Sequence, residues 1–110
     1  MEVCPDLQFA FQILGKKWNG LLIHYLSLCP EQTARFSEIR RDLPAITPRA
    51  LSLKLTELGE CQMIEKLVST QPSVDICYRL TEKGRALTEA LGPVQQWARK
   101  YRHECKAYEQ

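Results

Sequence analysis

Long apolar runs are missing from this chain. The longest, residues 21–28, is interrupted by His24 and falls well short of the ~20 residues a membrane-crossing helix needs, so no membrane partner is expected. The opening residues, Met1-Glu2-Val3-Cys4-Pro5-Asp6, lack the basic start and apolar stretch of a secretory signal. The expectation is therefore a cytoplasmic protein with reduced thiols. Histidine is scarce: the chain has two, His24 and His103, and neither has a nucleophile, carboxylate or metal ligand at a spacing that builds a reactive centre. His24 is expected to pack within a helix and His103 to be solvated. No enzyme activity, metal or cofactor is expected. The five cysteines, Cys4, Cys29, Cys61, Cys77 and Cys105, are odd in number and widely spaced, with no C-x-x-C pair, which argues against a disulfide scaffold and against structural zinc. Repeats, low-complexity tracts and linkers are also absent, so residues 1–110 are expected to form one domain.

What is present suits a soluble globular fold: 45% apolar and 25% charged residues. The net charge of +2 is small, but it is unevenly spread. Residues 35–54 carry Arg35, Arg40, Arg41, Arg49 and Lys54 against only Glu38 and Asp42. A focused basic segment of this kind is suited to a polyanion.

Periodicity divides the chain into elements. Pro5 and Asp6 open a first helix, with Leu7, Ala10, Phe11 and Leu14 at helical spacing until Gly15. Trp18, Leu21, Leu22, Tyr25 and Leu26 mark a second helix, ending before Pro30. A short helix is expected from Phe36 to Leu43, with Ser37 as its N-cap and Pro44 just beyond its end. After a tight turn, Thr47-Pro48 supplies a cap and a first-turn proline for a fourth helix, on which Leu51, Leu55 and Leu58 line one face as far as Gly59. Two helices joined this closely make a helix-turn-helix. Extended stretches Ile64–Ser69 and Asp75–Leu80 follow, joined by a polar loop into a two-stranded wing. Thr81 then caps a last helix in which Leu87, Leu91, Val94, Ala98, Tyr101 and Cys105 form a coiled-coil-like seam, kinked at Gly92-Pro93. The expected fold is α+β: a winged helix-turn-helix of about five helices and a wing hairpin.

With the three leucines turned inward, the outward arc of the fourth helix centres on Arg49 and Leu53, flanked by Ser52, Thr56 and Glu57. Arginine can fork onto guanine, serine can meet several base edges, and an outward leucine can touch a thymine methyl. Thr47, Arg49, Ser52, Leu53 and Thr56 are the candidate DNA-reading residues, and Arg35, Ser37, Arg40 and Arg41 the candidate phosphate contacts. The expected partner is double-stranded DNA.

Several stretches together resemble the HxlR family of bacterial MarR-like winged-helix regulators. They are Cys4-Pro5, Leu14-Gly15-Lys16-Lys17-Trp18, Arg35-Phe36-Ser37-Glu38-Ile39, Leu43-Pro44-Ala45-Ile46-Thr47, Leu55-Thr56-Glu57-Leu58, Tyr78-Arg79-Leu80-Thr81-Glu82-Lys83-Gly84 and Trp97. The resemblance implies a homodimer held by the terminal helices, a recognition helix beginning at Thr47, a palindromic operator and, most often, repression. It also implies sensing of quinones, oxidants or aldehydes by a cysteine at the place of Cys4. Departures fall at Asp75, where the family wing is commonly basic, at Gln62, where glycine is usual, and at Thr56 and Gly59. The operator sequence is therefore not implied.

Cys4 lies at the start of the first helix, where the helix dipole favours a thiolate, although Asp6 opposes it. Cys105 continues the last-helix seam, so a Cys4–Cys105 bridge between subunits is a hypothesis that requires Cα atoms within about 7 Å. Modification at Cys4 would shift the subunits and spoil the match to half-sites roughly 34–36 Å apart. Cys29, Cys61 and Cys77 are expected to be core or helix-end residues. Two rival readings are a regulator that binds a non-covalent ligand in a cleft between the terminal helices, with Trp18, Tyr25, Trp97 and Tyr101 as candidate lining and Cys4 incidental, and a winged helix used only for protein–protein contact.

Overall fold

The computed structural model describes residues 1–108 and contains five α-helices and a three-stranded antiparallel sheet. Helix α1 (Pro5–Leu14) starts with proline after Cys4 and ends at Gly15. Helix α2 (Asn19–Leu28) follows after Trp18, whose φ of 79° turns the chain sharply. The amide of Asn19 closes this corner by donating to the Ile13 carbonyl at 3.0 Å. Leu22, Ile23 and Leu26 on α2 are fully buried and form the floor of the core.

Strand β1 (Thr33–Arg35) leads into helix α3 (Phe36–Asp42), and a short turn leads on to helix α4 (Pro48–Glu60). Ile39 of α3 and Leu51, Leu55 and Leu58 of α4 join the α2 residues in one cluster with Met63, Ile64 and Leu80. Burying each of these leucines contributes roughly 1.5–3 kcal/mol, which anchors α4 by one face and leaves its other face outside. The wing consists of β2 (Ile64–Ser69) and β3 (Asp75–Leu80), in register from Ile64 opposite Leu80 to Ser69 opposite Asp75. Helix α5 (Glu82–Tyr101) completes the fold.

The wing is not a lone pair of strands as expected, because β1 adds to the free edge of β3, with Ala34 opposite Tyr78. Three residues show too little alternation to reveal a strand, and β1 forms because β3 offers it unpaired backbone groups. The N-cap of α3 is Arg35 rather than Ser37, which already lies inside the helix. The Glu38 carboxylate accepts the Arg35 backbone N–H at 2.9 Å, so a residue three positions on satisfies the helix start. Helix α5 runs unbroken through Pro93. Pro93 and Glu89, whose carbonyl loses its donor, are both exposed, and water can replace the lost bond. His24 is exposed on α2 instead of packed. The seam of α5 stops at Tyr101, and Cys105 lies past the helix between two 3-10 turns, so it does not continue the stripe.

The join between α4 and α5 is tightly built. Helix α4 ends in a Schellman turn: the Gln62 N–H bonds the Gly59 carbonyl at 3.0 Å and the Met63 N–H bonds the Leu58 carbonyl at 2.9 Å. Gln62 takes the left-handed position with φ 63°, which explains why glycine is the favoured residue there. Thr81 then works in both directions: its hydroxyl donates to the Gln62 carbonyl at 2.6 Å and accepts the Gly84 N–H at 3.1 Å. Gly84 itself passes so close to the Met63 carbonyl that a Cβ would overlap it.

Candidate nucleic-acid interface

Helix α4 presents the face anticipated for it. Arg49, Ser52, Leu53 and Thr56 are exposed, Leu53 at 55%, while Leu51, Leu55 and Leu58 are at most 3% exposed. The Thr47 hydroxyl oxygen accepts the Ala50 N–H at 3.1 Å, capping the helix, and its own proton remains available as a donor. Pro48 fixes the first turn, so the positive end of the helix dipole lies beside Thr47 and Arg49, where a phosphate would be favoured. The Thr56 hydroxyl turns back onto the Ser52 carbonyl at 3.0 Å, which leaves its methyl as the group a base could meet.

The cations of β1, α3 and α4 are not equally free. Among the described residues Arg40 and Arg49 have no carboxylate within ion-pair distance. Arg35 contacts Glu38 at 3.3 Å, and Lys54, largely covered, contacts Glu57 at 3.3 Å. Arg41 forks onto Asp42 at 2.9 and 3.2 Å, and the Tyr25 hydroxyl donates to the same carboxylate at 2.6 Å. Arg41, with Tyr25 second, pulls the Asp42 carboxyl down to about 2, so it stays ionised. Burial, reinforced by the Asp42 bond, pushes the Tyr25 hydroxyl well above its ordinary value. Sequence spacing did not reveal this cluster, because Tyr25 reaches Asp42 across 17 residues. On the wing, Arg79 is engaged by Glu65 at 2.8 Å, while Lys66 is exposed.

The thiols fall into two groups. Cys29 and Cys77 are half-buried, and burial pushes both thiols up, disfavouring the reactive thiolate. Cys4, Cys61 and Cys105 are exposed. Cys4 is the N-cap residue of α1 and makes no side-chain cap bond, so its sulfur is uncommitted beside the helix terminus. Cys61 caps the far end of α4.

The four aromatics suggested for a ligand cleft do not gather into one. Trp18 and Tyr25 pack against the core, whereas Trp97 and Tyr101 contact each other on α5, ring centres 5.9 Å apart. Two open clefts, of about 590 and 560 Å³, contain none of them; the first lies between α1 and the end of α4, the second between α2 and α5.

The family model described as HxlR-like helix-turn-helix matches residues 13–106, a span that begins after Cys4. The transcriptional regulator YodB of Bacillus subtilis (strain 168) is 41% identical over 96 residues, covering 87% of this chain and 83% of YodB. The solved reduced form of YodB is similar with a TM-score of 0.80 at 38% identity, covering 91% of this chain and 95% of that one. Quinone-bound YodB gives a TM-score of 0.75 at 38% identity, covering 89% and 99%. The redox regulator HypR in its reduced form gives a TM-score of 0.81 at 31% identity, covering 94% and 99%.

Proposed function

This chain belongs to the HxlR-like helix-turn-helix family, and from that premise we propose that it is a homodimeric transcription regulator, typically a repressor, that binds a palindromic DNA operator and releases it when Cys4 reacts with an oxidant or electrophile. The observation that carries the DNA-binding part is the outward row of Arg49, Ser52 and Leu53 on a helix whose opposite face is locked into the core. Arg49 and Ser52 read base edges, Leu53 meets a thymine methyl, and Thr56 offers its methyl at the edge of the row. Thr47, Arg35, Ser37 and Arg40 set register on the phosphates. The protein acts in the cytoplasm and catalyses no reaction.

The sensing part is supported by the exposed thiol at the head of α1, by one relative, YodB, whose structure is known both quinone-bound and diamide-treated, and by a redox regulator of the same shape. Two outcomes are open at Cys4: adduct formation with a quinone, or a disulfide to Cys105 of the second subunit. The deciding experiment is operator binding by the unaltered protein and by Cys4→Ser, with and without diamide or a quinone. In their reduced states both proteins should bind the operator equally, and on treatment only the unaltered protein should let go. Release of Cys4→Ser by either reagent refutes the sensing role, and mass spectrometry of the treated dimer separates adduct from bridge.

A further inference from the structure

Asp42 is the last residue of α3, the helix that precedes the outward-facing α4, and its carboxylate accepts three hydrogen bonds from two elements. Two come from Arg41 in the forked geometry that a guanidinium also uses for phosphate, and the third comes from Tyr25 of α2. Tyr25 packs against the core, so the carboxylate is held at a fixed point and does not swing with the solvent. Asp42 takes the Nε–Nη2 fork of Arg41 and offsets its charge, so a DNA phosphate has to compete with a fixed carboxylate for this guanidinium. Arg40, its neighbour, has no such carboxylate among the described residues.

We propose that Asp42 is a built-in phosphate surrogate that withholds Arg41 from the DNA backbone, with Tyr25 as the residue that positions it. The inference rests on the DNA-binding reading above. Phosphate contacts add affinity for every sequence alike, so withholding one trims the binding common to all duplexes and leaves the complex closer to release. Arg41, a candidate phosphate contact from sequence, is then the one basic residue of α3 that does not serve as one.

Duplex binding by the full-length chain, followed by fluorescence anisotropy across a range of salt, tests this. Asp42→Asn keeps an acceptor for Tyr25 but frees Arg41; it should tighten binding to random-sequence duplex several-fold at low salt and steepen the slope of log affinity against log salt by about one. Arg41→Ala in the otherwise unaltered chain should leave the slope unchanged, and combined with Asp42→Asn it should restore the original slope. Glu60→Gln, which removes the same charge away from the fork, should not steepen it. A fall of about one in the slope for Arg41→Ala alone overturns the proposal, as does an unchanged slope for a folded Asp42→Asn. Because Arg41 is exposed, its replacement decides the matter even if Asp42→Asn folds poorly. Failure of the DNA-binding reading would look different: the unaltered protein would show no salt-dependent duplex binding at all.

Discussion

Leu51, Leu55 and Leu58 of α4 are almost inaccessible, whereas Leu7, Phe9 and Phe11 of α1 and Val94 and Trp97 of α5 are each more than half exposed. Helix α1 contains no buried residue, and α5 buries only Gly84. The apolar residues of the chain thus have two destinations. The buried residues between α2 and β3 close a core that the chain completes alone, while Leu7, Phe9, Phe11, Val94 and Trp97 on the terminal helices remain wet in a single copy. Large apolar side chains left exposed on helices in this way suit contact with another molecule. Under the homodimer reading, that molecule is a second copy of this chain.

The contrast can be broken first from the core side. Leu55→Ala should cost about 2–5 kcal/mol of unfolding free energy, because it leaves a cavity beneath the outward row of Arg49, Ser52 and Leu53. Urea denaturation followed by circular dichroism measures it, and a loss below about 1 kcal/mol would mean that α4 is not anchored as described. Trp97→Ala tests the other region. It should leave the monomer fold intact but weaken association by about 2 kcal/mol, seen as a shift toward monomer in sedimentation velocity. An unchanged dimer would remove α5 from the interface.

A finer test concerns the joint between the two regions. Gln62→Gly should stabilise the protein by up to about 1 kcal/mol, since glycine adopts the left-handed backbone there without a Cβ clash. A fall in melting temperature would show that the Gln62 side chain contributes more than its backbone strain costs. The smallest effect is electrostatic. The Asp42 carboxyl is held near 2, below its ordinary value, so its contribution is complete above about pH 4 and is lost as pH falls through about 2. Acid titration of stability should therefore show a step in that window that Asp42→Asn lacks.

Most of the architecture was legible in the sequence, because the signals were local. Proline at Pro5 and Pro48, the capping threonines Thr47 and Thr81, and the leucine spacing of α4 set element boundaries that the structure reproduces within a residue or two. What could not be read depends on distant partners. Strand β1 exists because β3 has a free edge, and the N-terminus of α3 is satisfied by Glu38 rather than by the better capping residue Ser37. The outward row on α4 followed from helical geometry alone. The engagement of Arg41 did not, since no pattern announces that Tyr25 reaches across to Asp42.

The Thr81 clasp and the close pass of Gly84 over the Met63 carbonyl leave no slack where α4 meets α5. Such a joint behaves as an elbow set in plaster. Helix α4 has 13 residues and so extends about 20 Å from it, and because the joint does not yield, a tilt of the terminal helix by about 10° sweeps the Thr47 end through about 3.5 Å. That is close to the rise of one base pair, about 3.4 Å, so under the DNA-binding reading a small tilt of the long terminal helix would carry Arg49 from one rung of the duplex to the next.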